Sequence, residues 1–252
     1  MITLLAALKE IMGEYVRRRG HAEPVSFNIA ADTCWELKIT CDLPELPGLC
    51  IRNLHDNDAP LLQDFSTKLG ANSKDLFCPY PWNDLGALPG AFQKAVQNAS
   101  ARVDSSYLIE GASHGVIGHF FLWKAGGNPH SQQYQLEVPE LGVAIADEFQ
   151  GKSLGWLSVR ILQTVAHALH SDAIELTTAF DNDVGWNLYR RCGFQHTGDI
   201  NIPLGVDVTT ALTGEVTAAS YRLERQMVYV ISEVKRERIL SYLETKRKTA
   251  PG

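Results

Sequence analysis

Near the middle of the chain, Phe149-Gln150-Gly151-Lys152-Ser153-Leu154-Gly155 sets small residues and one lysine just ahead of a long apolar-periodic segment. The first N–H groups of a helix lack intrahelical acceptors, and the helix dipole favours negative charge beside them. Residues of this type at a helix start hold phosphate. Gly151-Lys152-Ser153 fits the end of a nucleotide P-loop, G-x-x-x-x-G-K-[ST], or a loop that holds some other pyrophosphate. The P-loop reading fails on its neighbours. Ala146 stands where the first glycine belongs, and Asp147 and Glu148 fill the loop. Like charges ~4 Å apart cost on the order of 4 kcal/mol at an effective dielectric of 20. No apolar strand with a clear Walker-type aspartate follows.

Other chemistries have less behind them. His114 and His119 flank a turn, and His167 and His170 lie three apart, but no HExxH or Cys/His cluster occurs. No metal is expected. No G-x-S-x-G is present, so a serine nucleophile lacks its elbow. In "FCPYPW", Pro79 and Pro81 forbid regular helix. Its Phe77, Tyr80 and Trp82 either wall a pocket or pack on the core.

The elements that must position these residues follow from periodicity. Residues 4–19 carry apolar side chains at helical spacing, and "VSFNIA" and "CWELKIT" alternate as strands. "CDLPELPG", with Pro44, Pro47 and Gly48, reads as a linker. Residues 1–48 are thus expected to form a helix-plus-hairpin extension, ahead of a domain over 49–252. In that domain "LCIRNL" is a strand, helices follow over 59–69 and 90–101, and "SSYLIE" and "VIGHFFLW" form a hairpin across "GASHG". "AGGNPHSQ" is a loop. Glu140–Ala146 is a strand, residues 152–170 a helix, Ala173–Phe180 a strand, and "VGWNLYRRC" a short helix that Gly193 ends. Strand, helix, strand in this order predicts a parallel pair with a right-handed crossover. Strands around "FQHTGDINI" and "YRLERQMVYVI" flank the excursion "GVDVTTALTGEV", and a C-terminal helix closes the chain.

With these elements in place, Gln150-Gly151-Lys152-Ser153-Leu154-Gly155 resembles the Arg/Gln-x-x-Gly-x-Gly/Ala signature of the GNAT superfamily of N-acetyltransferases. "FDNDVGWNLYRRCGF" is similar to that family's second signature, an Asn-containing loop followed by a short helix and Tyr-x-x-x-Gly-Phe. The order of elements matches over roughly residues 49–231, and the specific motifs lie within 140–194. The resemblance implies an α/β (α+β) fold: a mixed, mostly antiparallel central sheet with helices on both faces and a splayed parallel strand pair. It implies acetyl transfer from acetyl-CoA to a primary amine. The backbone of Gln150, Gly151, Lys152, Ser153, Leu154, Gly155 and Trp156 then wraps the coenzyme A pyrophosphate. Val143, Ala144 and Ile145 bond the pantetheine arm, and one of their N–H groups stabilises the developing oxyanion. Tyr189 matches the family's general acid, or its ring packs beside the cofactor. Glu140 matches a general base of some members, or is a solvated strand-end carboxylate. Asn182 orients the arm or only shapes a turn. Lys152 adds charge near the phosphates or is an ordinary helix-start lysine. Ser153 stands where the family has glycine, and either adds a donor or narrows the loop.

The totals agree with an enzyme of this kind. Apolar residues are 45% and charged residues 21% of 252, enough for a sizeable core. A net charge of −6 argues against nucleic acid as partner. No stretch has the length of a membrane span, and Lys9 and Glu10 interrupt the apolar start. Five scattered cysteines without CxxC spacing suit reduced thiols and a cytoplasmic location. The expected partner is a small-molecule amine or protein amine acceptor, with a homodimer open. The alternative is a non-catalytic coenzyme A-binding regulatory or scaffolding module.

Overall fold

The computed structural model describes residues 3–21, 25–77, 79–204 and 220–250. The chain opens with α1 (Leu4–Arg18), started by Thr3, whose hydroxyl accepts the Ala6 N–H at 3.3 Å. Three strands follow, β1 (Phe27–Ala31), β2 (Leu37–Leu43) and β3 (Leu46–Asn53). Helices α2 (Ala59–Thr67), α3 (Ala71–Leu76) and α4 (Leu88–Ser100) lead to the hairpin β4 (Ser105–Gly111) and β5 (Gly115–Trp123). After a short α5 (Pro129–Gln132) come β6 (Glu140–Ile145), α6 (Leu154–Ala168), β7 (Ala173–Ala179) and α7 (Asp183–Arg191). Strands β8 (Gln195–Leu204) and β9 (Ser220–Val230) precede the last helix, α8 (Arg236–Thr249).

All nine described strands share one sheet in the order β1-β2-β3-β4-β5-β6-β7-β9-β8. Every pairing is antiparallel except β6 with β7, as expected for a mixed sheet with a parallel pair. β5 holds β6 from Gly118↔Ile145 to Trp123↔Glu140. β7, in contrast, meets β6 at the single pair Glu140↔Glu175, and beyond it the strands part. Helices cover both faces: α1 packs on α6, while α4 and α8 lie on the face carrying His119 and Glu175. The core is continuous through Leu8, Ile39, Ile51, Tyr107, Phe120 and Ile161, all buried.

Two local expectations change. Pro44–Gly48 is no linker but the turn of the β2–β3 hairpin and the first residues of β3. Leu43 pairs with Leu46, both are buried, and the Asp42 carboxylate accepts the Gly48 N–H at 3.0 Å. A bulge between Cys41 and Leu43 lets proline and glycine sit in a strand without breaking it. α5 is a short helix inside the segment read as loop, and α3 lies in a stretch for which no element is expected from sequence. Cys34, Cys41 and Cys192 are buried free thiols and Cys50 is half-buried, while Cys78 and the excursion over 205–216 lie outside the described residues. No described helix is long and apolar enough to cross a membrane.

The first strands are fastened to the sheet by a buried amide. Asn53 accepts the Leu37 N–H and donates to the Cys34 carbonyl at 3.1 Å, which also receives the Tyr107 hydroxyl at 2.6 Å. Asn53→Ala leaves the Leu37 N–H without its partner. It should lower unfolding free energy by about 2 kcal/mol in chemical denaturation.

Candidate active site

Gly151 (φ +74°) and Ser153 (φ +61°, ψ 10°) both take the left-handed conformation. Ser153 is the N-cap of α6, yet its hydroxyl makes no capping bond. Among the described residues the N–H groups of Lys152 through Trp156 have no acceptor. A row of free donors at the start of a 15-residue helix suits an anion. A Cβ on Gly155 would lie 3.2 Å from Leu188 of α7, so that glycine also lets two helices approach.

The side chains around the loop point elsewhere. The Asp147 carboxylate accepts the Gly70 N–H at 3.0 Å and the Ser73 hydroxyl at 2.6 Å. The like-charge objection to phosphate therefore falls for Asp147, while Ala146 in place of glycine still separates this loop from a P-loop. The Gln150 carboxamide donates to the Ser73 hydroxyl at 3.1 Å and the Ile145 carbonyl at 3.2 Å, tying the loop to α3 and β6. Leu154 and Trp156 are buried, and the Arg18 guanidinium lies 4.2 Å over the Trp156 ring. The Tyr15 hydroxyl reaches the Lys152 carbonyl at 3.5 Å.

One cavity of about 1240 Å³ runs from this loop past the parted strands to the side walled by α4 and α8. It brings together Glu140, Val143, Ala144, Ile145, Asn182 and Tyr189 with the loop residues Gln150, Gly151, Ser153, Leu154, Gly155 and Trp156. Lys152 does not line it; its ammonium lies 5.8 Å from the Phe149 ring centre. No group of three or more His, Cys, Asp or Glu among the described residues forms a metal-ligand set.

Tyr189 sits on α7 with its ring edge-on to Phe194 at 5.9 Å. Its hydroxyl has no hydrogen-bond partner among the described residues. Burial, with Cys192 and Glu224 nearby, pushes its phenol well above the ordinary range, so it stays protonated at neutral pH. Asn182 caps α7 by accepting the Gly185 N–H at 2.9 Å, and a side chain on Gly185 would collide with that cap. Glu140 begins β6. Its Oε2 is buried without a hydrogen bond and lies 3.6 Å from the Lys246 ammonium. Lys246 also pairs with Glu175 at 3.0 Å, and the Tyr242 hydroxyl donates to the other Glu175 oxygen at 2.8 Å.

The cavity also holds residues that sequence reasoning missed. His119, on β5, is buried; its Nε2 lies 2.9 Å from the Ser106 hydroxyl and its Nδ1 3.4 Å from the Tyr80 hydroxyl. Burial pulls its pKa down to about 3, so the ring is neutral. Phe77 and Tyr80 are at once buried and part of the cavity wall, while Trp82 is half-buried, packs on the core and does not line the cavity. Lys246 sits in a Lys/Arg-rich tail that looks solvated in sequence, and its only signal is helical spacing from Tyr242 and Leu243.

Ser153 bears the loop's conformational strain, since a left-handed residue other than glycine is disfavoured by roughly 1–2 kcal/mol. Allowing for the greater freedom of glycine in the unfolded chain, Ser153→Gly should raise stability by about 1 kcal/mol. Paired denaturation curves test this; a loss of stability would show that the hydroxyl holds the loop.

The acetyltransferase (GNAT) domain family matches residues 48–195. No curated protein matches the chain. Among solved structures, the ribosomal-protein-S5-alanine acetyltransferase from Vibrio fischeri is similar at TM-score 0.56 and 12% identity, over 73% of this chain and 94% of that one. A ribosomal L7/L12 alpha-N-protein acetyltransferase is similar at TM-score 0.54 and 14% identity, over 84% and 97%. The spermidine N-acetyltransferase from Vibrio cholerae, solved with CoA and spermine, is similar at TM-score 0.51 and 19% identity, over 72% and 95%. These likenesses speak for the fold, and the domain match covers more than half of the chain. With a parted parallel pair and an anion-ready helix start in one cavity, the chain belongs to the GNAT acetyltransferase family and is an acyltransferase.

Proposed function

We propose that the chain is an N-acetyltransferase that moves an acetyl group from acetyl-CoA to a primary amine by direct attack. The observation that carries this reading is the single cavity that joins the free N–H groups at the start of α6, the open edge of β6 and the unpartnered Tyr189 hydroxyl. Acetyl-CoA supplies an activated thioester when bound. The loop N–H groups from Gly151 to Trp156 hold its pyrophosphate, aided by the dipole of α6. The backbone of Val143, Ala144 and Ile145 aligns its arm, and an N–H there donates to the carbonyl oxygen as negative charge develops.

Tyr189 protonates the departing thiolate. A phenol that is protonated, half-buried on the cavity wall and free of partners among the described residues is suited to that step. Glu140, at the start of β6 on the cavity wall, takes the proton from the acceptor. Asn182 acts on α7 as its cap and thus sets where Tyr189 stands. The Gln150 side chain anchors the loop to α3 and β6. The acceptor approaches from the side of Phe121, Trp123 and His119, where Glu140 lines the cavity. Both a small-molecule amine and a protein amine meet this description, and structural neighbours are named for spermidine and for a ribosomal-protein alanine.

Free-thiol release from acetyl-CoA across a panel of amines tests the reading. Thermal stabilisation by acetyl-CoA with no thiol release for any amine would leave only a binding module. Tyr189→Phe should lower kcat by ~10²–10⁴-fold with acetyl-CoA binding retained; unchanged turnover removes Tyr189 from the chemistry. Glu140→Gln should abolish the fall of kcat towards low pH, because an amide takes up no proton in that range. An unaltered profile would mark Glu140 as structural.

A further inference from the structure

We propose that Lys246, on the C-terminal helix, is a positioning residue for Glu140: it bridges Glu175 and Glu140 where the parted strands meet, and leaves Glu140 Oε2 without a hydrogen bond. This rests on the reading of Glu140 as the base. Glu140 and Glu175 are register partners on adjacent parallel strands, and Glu175 is buried. Two carboxylates so placed repel one another and lose hydration, so both stay ionised only with a cation between them. Lys246 is the cation found there, 3.0 Å from Glu175 Oε2 and 3.6 Å from Glu140 Oε2.

The arrangement is unequal. Both Glu175 oxygens are engaged, one by Lys246 and one by the Tyr242 hydroxyl at 2.8 Å, so Glu175 is fixed as a structural anion. Glu140 has Lys246 beyond hydrogen-bonding distance and keeps a free acceptor oxygen. Burial works against the Lys246 ammonium, but Glu175 and Glu140 outweigh it and hold its pKa above the usual amine range. For Glu175, burial and then Glu140 raise the pKa while Lys246 lowers it. The other charged groups that act on Glu140 come from neighbouring elements: Lys124 after β5, His130 of α5, and Glu224 of β9. Lys124 lies 4.1 Å over the Trp123 ring and forms no ion pair with Glu140 among the described residues, so Lys246 is the cation in contact. Ile239, Tyr242 and Leu243, all buried, anchor α8 and deliver Lys246 one turn further on the same face.

Carboxyl titration of the full chain by carbon NMR tests the bridge, with the two resonances assigned by their loss in Glu140→Gln and Glu175→Gln. In Lys246→Met the carboxylate pair should take up a proton about 1–3 pH units higher than in the native chain. Lys246→Arg should retain the native titration, as a conservative cation. A pair that titrates identically in Lys246→Met overturns the proposal. If that variant does not fold, Lys246→Met/Glu175→Gln should recover folding by removing the unneutralised neighbour; a double variant no more stable than the single one also overturns it. Full kcat in Glu140→Gln would defeat the base reading and leave the titration result standing as a separate fact.

Discussion

The site depends on a sheet that stops being a sheet in its middle. β6 is bonded to β5 along its whole length, yet it touches β7 at one pair only. Every unmatched backbone group past that pair stays wet, finds a ligand, or costs about 1–3 kcal/mol. The parting is built in locally. Gly142 has no side chain because the Phe121 ring lies against it, and the ring, together with Trp123, occupies the space beside the open edge. β7 is held instead by β9, in register over Ala173↔Val230 to Ala179↔Glu224. The opening is therefore a stable feature of two well-paired half-sheets and does not require strain in either strand.

Both ends of the opening are secured by segments outside the domain match over 48–195. At the loop end, α1 supplies the Tyr15 hydroxyl to the Lys152 carbonyl and the Arg18 guanidinium to the Trp156 ring. At the closed end, α8 supplies Tyr242 and Lys246 to the facing glutamates. The terminal helices thus do for the cavity what the central motifs do not: they set the position of the loop and balance the charge at the strand junction.

Much of this was legible in the sequence, and what was legible is what the backbone decides locally. Gly151, Ser153 and Gly155 mark a loop that needs small residues, and the strand, helix, strand order after Glu140 fixes a parallel pair. The misreadings share a cause. Pro44, Pro47 and Gly48 look like a linker until the bulge that accommodates them is known. Asp147 looks like a charge in the loop until Ser73 and Gly70, more than seventy residues earlier, turn it away. Lys246 looks solvated until Glu175, 71 residues before it, draws it in. Side-chain direction set by long-range partners carries no periodic signal, so no spacing rule recovers it.

Unsatisfied polar groups give the strongest physical argument about the cavity. Folded proteins pair nearly all buried polar groups, and each exception calls for a reason. Among the described residues, the buried side-chain atoms without a partner are Glu140 Oε2, Thr178 Oγ1 and Gln226 Nε2, and the first two belong to cavity-lining residues. The free N–H groups at the start of α6 and the unpartnered Tyr189 hydroxyl open on that same space. Donors gather at one end, where an anion is expected, and an acceptor carboxylate lies near the other, where an ammonium is expected. A cavity that served only packing would show neither the concentration nor the polarity. That polarity fits the proposed function, with the anionic part of an acyl-CoA donor at the loop and the amine near the strand junction.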